Sequence, residues 1–106
     1  MEAQSIMLKV REMDRGIFIE LGEGYVFAQQ EGDELVIWQV YSPNLALLDV
    51  ELRTQFEDVI ECFANKLGLK KITWYVKDRH INGSLIMFSK YKPKVLKVKI
   101  GVDLNG

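Results

Sequence analysis

The stretch DVELRTQFEDVIECFANKLGLKKITWYVK, residues 49 to 77, contains a helix, its end and the strand that follows it. Apolar side chains recur there every three or four residues, which places them on one helical face: Leu52, Phe56, Val59, Ile60, Phe63, Ala64 and Leu67. Asp49 is a typical N-cap, Lys66 suits the negative end of the helix dipole, and Gly68 can adopt the left-handed conformation that ends helices. The pattern predicts a helix over residues 49 to 67 that packs on a core through its apolar face.

Two strongly apolar segments predict the centre of a sheet. Residues 72 to 76, ITWYV, are β-branched or aromatic and follow the helix closely, as in a helix that packs on a sheet. Residues 35 to 41, LVIWQVY, form the most continuously apolar strand, so we expect both of its faces to be covered. The two strands are expected to be neighbours. Trp38 and Trp74 are therefore expected in the core, with stacking on a nucleotide base as the alternative.

The other segments complete an α+β pattern. Residues 6 to 10 and 16 to 21 predict two short strands, and residues 25 to 29 predict a third that pairs with residues 35 to 41 through a turn at residues 31 to 33. Residues 84 to 91 fit either a short helix capped by Ser84 or a strand after an Asn82-Gly83 turn, and the residues alone do not decide. Alternation in residues 95 to 102, VLKVKIGV, predicts one half-exposed strand with a lysine face. We predict a single mixed, mostly antiparallel sheet with one long helix and one short helix packed on it.

The composition predicts one small globular domain, residues 1 to 106. The chain is 48% hydrophobic, and its apolar runs are far shorter than the roughly 20 residues that span a bilayer. No basic segment followed by an apolar one begins the sequence, so we expect a soluble, cytoplasmic protein without membrane contact. Cys62 and His80 are the only cysteine and the only histidine, so a metal site built from these residue types is not expected. A role for His80 as a general base is weighed against an ordinary solvated histidine.

The formal net charge of −1 conceals a charge gradient along the chain. Acidic residues are concentrated before Gly68, and nine lysines and arginines follow it. A basic stretch with an inserted aromatic residue is typical of phosphate-binding surfaces and also of protected edge strands; it contains Lys90, Tyr91, Lys92, Lys94, Lys97 and Lys99. Because the acidic half should repel a long polyanion, we expect nucleic acid to be an unlikely partner. A protein partner or self-association is favoured instead.

Three segments resemble the core of the GNAT superfamily of N-acetyltransferases. ELVIWQVYSP, residues 34 to 43, resembles the fourth strand of that family with a proline just past its end. KLGLKKITWYV, residues 66 to 76, resembles the end of the third helix and the fifth strand, and NGSLIMFSKYKPK, residues 82 to 94, resembles the asparagine-led fourth helix. The likeness extends from about residue 16 to residue 100. The arrangement is similar to compact, sometimes phage-encoded members that lack the first two helices.

The resemblance implies a place for acetyl-CoA between the fourth and fifth strands, with the pyrophosphate on amides at the start of the third helix. It implies that Val40 and Tyr41 hold the thioester carbonyl and that Arg53 and Asn82 contact the cofactor. It also implies that either Tyr91 or Ser89 protonates the thiolate.

The phosphate-binding segment departs from the family pattern. The family has glycines before the third helix, whereas this chain has NLALLDVELR, residues 44 to 53, without a glycine. Asp49 and Glu51 bring negative charge to the helix start, which repels phosphate. We therefore expect weak or absent acetyl-CoA binding and a role as an interaction or regulatory module, with possible homodimers. The alternatives are an active acyl-CoA-dependent N-acetyltransferase and a small nucleic-acid binder that uses residues 90 to 99.

Overall fold

A computed structural model describes residues 8 to 41, 50 to 75, 87 to 96 and 99 to 104, with the backbone alone for residues 95, 96 and 99. The described elements are the strands β1 (Leu8–Glu12), β2 (Gly16–Leu21), β3 (Gly24–Glu31) and β4 (Glu34–Tyr41), the helix α1 (Val50–Lys66), and the strands β5 (Lys71–Tyr75), β6 (Lys94–Leu96) and β7 (Lys99–Asp103). A 3₁₀ turn, Ser89–Tyr91, precedes β6.

The strands form one seven-stranded sheet in the order β1-β2-β3-β4-β5-β7-β6. All neighbours are antiparallel except β4 and β5, which are parallel. A parallel pair needs a crossover, and α1 provides it. The structure confirms the predicted α+β class and the predicted adjacency of the two strands, since residues 35 to 37 of β4 pair with residues 72 to 74 of β5. It also confirms the hairpin between β3 and β4, where Gly32 takes a φ of 61° in the turn.

Helix α1 ends as its sequence predicts. Gly68 has a φ of 74°, a conformation that costs a residue with a side chain roughly 1 to 2 kcal/mol. The amide of Leu69 donates to the carbonyl of Ala64 at 2.8 Å, and the amide of Gly68 donates to the carbonyl of Asn65 at 3.0 Å. These two bonds form a Schellman motif, which satisfies carbonyls that the helix leaves unpaired. Leu69 is buried directly after the motif, so the end of the helix is tied to the core.

The core lies between α1 and one face of the sheet. The helix contributes Leu52, Phe56, Ile60, Phe63 and Ala64, all buried as predicted. Cross-strand partners share a face, and the inward-facing strand residues alternate along β2 to β5 and β7: Ile17, Ile19, Leu21, Val26, Ala28, Leu35, Ile37, Ile72, Trp74, Ile100 and Val102. Phe88 is fully buried, with its ring centroid 5.7 Å from that of Trp74 and 6.2 Å from that of Phe56. The segment before the 3₁₀ turn therefore closes the core at one end.

The structure corrects two predictions about strands. Strand β4 is central, but only Leu35, Val36 and Ile37 are buried, and the residues from Trp38 to its end are exposed. Trp38, expected in the core, is 41% exposed. The single strand predicted for residues 95 to 102 is wrong, because β6 and β7 are separate strands that pair with each other as the outer part of the sheet. Alternation continues across their junction, so the periodicity alone gave no sign of the break.

For residues 84 to 91 the sequence allowed either a short helix or a strand. The structure has the 3₁₀ turn at residues 89 to 91, and residues 84 to 86 lie outside the described part. The N-cap Asp49 also lies outside it.

Candidate functional site

A β-bulge separates the two halves of β4. Along β3, Phe27 faces Gln39 and the next residue, Ala28, faces Ile37, so Trp38 is an extra residue on β4. Pairing with β5 runs from Leu35 opposite Ile72 to Ile37 opposite Trp74 and covers three residue pairs. Bulges bend the strand that carries them and commonly end pairing. Strand β4 therefore continues beyond the bulge along β3, while β5 continues along β7.

No described pair joins β4 to β5 beyond Ile37 and Trp74, and we call the place past this last pair, at the carboxyl ends of the two strands, the gap. Two predicted site residues lie on its β4 side. Val40 is 47% exposed and Tyr41 is 54% exposed. Val40 faces Val26 across the β3 pair and so lies on the core face of the sheet, and Tyr41 lies on the opposite face. The backbone of β4 past Ile37 has no described strand on its β5 side. This is the place where the resemblance puts the thioester carbonyl.

Aromatic side chains cover the sheet face that points away from α1. We call this surface the aromatic face: Phe18, Tyr25, Phe27, Trp38, Tyr41 and Tyr75. Trp38 stacks on Tyr75 across the gap, with ring centroids 5.5 Å apart and an angle of 27° between the planes. Tyr25 on β3 lies between Phe18 on β2 and Tyr41 on β4, and its ring centroid is 5.7 Å from the ring centroid of each. Within the described ranges no helix packs on this face.

Sequence reasoning missed the aromatic face as a unit. It recognised the strands of Phe18, Tyr25 and Tyr75 as apolar but did not assign their aromatic residues to one surface. The available signal was the alternation of these rings with aliphatic residues, as in Ile17-Phe18-Ile19. No pattern in the sequence indicates the bulge in β4, although this bulge determines where Trp38 lies.

The predicted proton donors Tyr91 and Ser89 lie in the 3₁₀ turn. The Tyr91 hydroxyl donates a hydrogen bond to Glu61 Oε1 on α1. This bond to a carboxylate, together with desolvation, raises the pKa of Tyr91 above its usual value. Lys90 Nζ lies 3.2 Å from Glu61 Oε2 and 5.1 Å from the centre of the Tyr91 ring. The bond to Glu61 raises the pKa of Lys90 as well.

This cluster is at some distance from the gap. In a strand-helix-strand crossover the helix runs antiparallel to its strands, so α1 begins near the carboxyl ends of β4 and β5. Glu61 lies eleven residues after Val50, which is about 16 Å along a helix. Ser89 is exposed on the same turn as Tyr91. The structure therefore brings Val40 and Tyr41 together at the gap and holds Tyr91 and Ser89 beside the middle of the helix.

The other candidates have different surroundings. Arg53 Nε lies 3.8 Å from Glu57 Oε2, one helical turn further on, so the two side chains form an ion pair along α1. Asn82 and His80 lie outside the described residues. Cys62 is a free thiol exposed on α1. Among the described residues no group of three or more histidine, cysteine, aspartate or glutamate side chains could hold a metal ion, and no helix is long and apolar enough to cross a membrane.

Several solved acetyltransferases have the same fold. An acetyltransferase from Bacillus subtilis, solved with CoA, superposes with a TM-score of 0.61 at 12% identity, and the match covers 94% of this chain and 99% of that one. An acetyltransferase of the GNAT family from Staphylococcus aureus Mu50 gives a TM-score of 0.59 at 7% identity, over 84% of this chain and 67% of that one. The PaiA N-acetyltransferase from Thermoplasma acidophilum, in complex with coenzyme A, gives 0.58 at 10% identity, over 83% and 59%. No protein-family model matches the sequence, and no curated protein matches it significantly.

The chain therefore has a GNAT-like N-acetyltransferase fold, as the sequence resemblance predicted. The chain spans a little over half the length of the Thermoplasma acidophilum enzyme but nearly all of the Bacillus subtilis one. At identities of 7 to 12%, the comparison establishes the fold alone.

Proposed function

We propose that this GNAT-like chain acts as a protein-interaction module and binds acetyl-CoA weakly or not at all. The observation that carries the proposal is the aromatic face. Trp38, Tyr41 and Tyr75 are 41%, 54% and 47% exposed, although each is large and apolar enough to be stabilised by burial. Tyrosine and tryptophan are enriched in the buried centres of protein interfaces, and exposed apolar patches commonly mark such sites. The expected occupant is another protein or a second copy of this chain.

The rings of the aromatic face are arranged for binding another surface. Stacking of Trp38 on Tyr75 limits the rotation of both side chains before a partner arrives, so less conformational entropy is lost on binding. Both rings belong to strands rather than to loops, which fixes their positions further. Aromatic rings carried by neighbouring strands of one sheet can bury a large area against a partner of complementary shape.

The residues at the start of α1 are unfavourable for binding the pyrophosphate of the cofactor. Glu51 is exposed in the first turn of α1, and Asp49 precedes the helix in the sequence. A carboxylate there stabilises the helix by about 0.3 to 1 kcal/mol and disfavours a bound phosphate by a similar amount. Residues 44 to 49 contain no glycine, so a side chain at every position keeps the backbone from approaching a pyrophosphate.

Calorimetry with acetyl-CoA tests the noncatalytic part of the proposal. We expect no measurable heat, or weak binding that becomes stronger in Asp49→Asn, because this variant removes one negative charge at the helix start. Arg53→Gln is the opposite control, since it removes a cation from the second turn. Wild-type binding in the low micromolar range or tighter would contradict the proposal.

Sedimentation equilibrium tests the interaction surface. If the partner is a second copy, the wild type should self-associate as its concentration rises, and Trp38→Ala with Tyr75→Ala should stay monomeric. Val10→Ala with Val50→Ala is a matched control, because these residues are also exposed hydrophobics but lie outside the aromatic face. A wild type that stays monomeric excludes a second copy. Equal loss of association in both double variants would contradict the assignment of this surface.

An active N-acetyltransferase is the second candidate, favoured by the divergence of β4 from β5. Binding of acetyl-CoA is plausible for this fold, since two of the similar structures are complexes with CoA. If the chain is active, the acceptor amine attacks the thioester carbonyl and loses a proton to solvent, and backbone amides near Val40 and Tyr41 stabilise the oxyanion. The C–S bond then breaks as the amide forms, and the departing thiolate takes a proton. For Tyr91 to donate that proton, it must first release Glu61. An acetyl-transfer assay with a panel of amines would favour this candidate if turnover depended on Tyr91 or Ser89.

A further inference from the structure

A cavity of about 470 Å³ lies at the opposite end of the sheet from the gap between β4 and β5. The 3₁₀ turn and the beginning of β6 form one side, and the end of β7 and the beginning of β5 form the other. Its volume is within the range of small-ligand sites. Gly101 of β7 lines it and has no side chain, so a ligand can come close to the backbone there.

The lining is strongly cationic. Lys71, Lys90, Lys92 and Lys94 all contribute to it, against one carboxylate, Asp103. Two of the lysines have acidic neighbours: Lys90 Nζ lies 3.2 Å from Glu61, and Lys71 Nζ lies 4.0 Å from Glu34. The other two, Lys92 and Lys94, are exposed, and the described part of the chain gives neither of them an ion pair. A positive charge therefore remains at the mouth of the cavity.

The backbone fixes the positions of these two lysines. Lys92 has a φ of 54°, and its amide donates to the carbonyl of Ser89 at 3.0 Å, so it closes the 3₁₀ turn. Lys94 pairs with Gly101 in the β6–β7 ladder. The turn itself is held against α1 by the bond between Tyr91 and Glu61. Two cations on different elements thus face one cavity from anchored positions.

We propose that this cavity binds a small anion that carries two or more phosphate or carboxylate groups. Single ion pairs at a protein surface are weak because water screens them, so useful affinity needs several contacts at once. A small polyanion can reach Lys92 and Lys94 together, with Lys71 and Lys90 reinforcing the local potential. A long nucleic acid is disfavoured, because the neighbouring surface of α1 carries Asp58 and Glu61. This cavity is separate from the aromatic face, and the proposal does not depend on the function proposed for the aromatic face.

The test uses inorganic tripolyphosphate as the probe, titrated into the full chain at low and physiological salt by calorimetry. We expect saturable binding that weakens as salt rises. Lys94→Glu and the milder Lys92→Gln should each weaken it, the charge reversal by tenfold or more. Lys9→Glu is the matched control for Lys94→Glu, since it makes the same charge change on β1 at the opposite edge of the sheet. It should change the affinity by less than twofold. Thermal melts of each variant check that it is folded before its affinity is compared.

Three results would overturn the proposal. They are the absence of saturable binding to the folded wild type, an equal loss of affinity in Lys9→Glu and Lys94→Glu, and tighter binding of a single-stranded oligonucleotide than of tripolyphosphate at matched salt. The last result would assign the lysines to nucleic acid instead. Succinate and citrate, compared with tripolyphosphate at matched salt, distinguish a carboxylate ligand from a phosphorylated one.

Discussion

Phe56 connects the helix, the 3₁₀ segment and the sheet, so its truncation gives the strongest test of the packing. Its side chain is fully buried, and its ring contacts Phe88, which in turn contacts Trp74 on β5. Replacement of a buried phenylalanine by alanine costs about 3 to 5 kcal/mol, since transfer energy is lost and a cavity remains. That range already includes lost ring contacts, and the contact with Phe88, worth about 0.5 to 1.5 kcal/mol, places this site in its upper half. We therefore expect Phe56→Ala to lower the free energy of unfolding by about 4 to 5 kcal/mol.

That loss is comparable with the whole stability of so small a domain. Single domains are commonly stable by about 5 to 15 kcal/mol, and a domain of this size is expected near the lower value. Phe56→Ala should therefore be marginally stable and partly unfolded at room temperature. Urea unfolding followed by far-ultraviolet circular dichroism measures the loss. Phe56→Leu keeps most of the volume and should cost about 1 to 1.5 kcal/mol.

Val50→Ala on the same helix is the control for Phe56→Ala. Val50 is 66% exposed, so the change should stay within about 0.5 kcal/mol. A loss below about 1 kcal/mol in Phe56→Ala, with an unchanged denaturant slope, would refute the assignment of the buried helix face.

Two further variants test local features. Gly68→Ala should lower the free energy of unfolding by about 1 to 2 kcal/mol, because a residue with a side chain is strained in the left-handed conformation of Gly68. The added Cβ would meet no atom within 4 Å, so the strain lies in the backbone. Thermal unfolding measures the loss, and an unchanged stability would mean that the helix ends differently. Glu61→Gln should lower the pKa of Tyr91 toward its ordinary value of about 10, as seen in an ultraviolet titration compared with Tyr91→Phe. Because the folded pKa of Tyr91 is raised, its bond to Glu61 stabilises the wild type fully below pH about 10, and this stability is lost as pH rises through the folded pKa. Glu61→Gln should be less stable at neutral pH and show less of that alkaline loss, and identical alkaline unfolding of the two proteins would contradict the bond.

Local patterns in the sequence were sufficient for most of the fold. The helical stripe around Phe56, the stop at Gly68 and the β-branched strand after it each depend on nearby residues, and each was predicted correctly. The resemblance to the fourth and fifth strands of the family also gave the adjacency of β4 and β5 correctly. Trp38 was misplaced because a bulge depends on how β4 meets β3 and β5, which is a tertiary property. The same limit applies to β6 and β7, because the sequence alternation continues through residues 97 and 98 between the two strands.

The candidate site was less predictable than the fold. Val40 and Tyr41 could be assigned to the end of β4 because the strand itself was clear. Tyr91 was assigned from its place in a motif, whereas its observed partner, Glu61, lies thirty residues earlier in the chain and was not expected to contact it. The lysine cavity depends on Lys71, which the sequence did not connect with the basic stretch of residues 90 to 99. Such groupings arise from the order of strands in the sheet, which the chain does not reveal locally.

The parallel junction of β4 and β5 has a consequence for how the chain acquires its structure. Strands β1 to β4 pair with their neighbours in sequence, so their contacts close only short loops. The pairs between β4 and β5 close a loop that contains all of α1, and the entropy cost of closure rises with loop length. Non-local pairing of this kind slows folding. As the chain leaves the ribosome, the first four strands can form before β5 exists, and the open edge of β4 is then able to pair with a strand from another molecule.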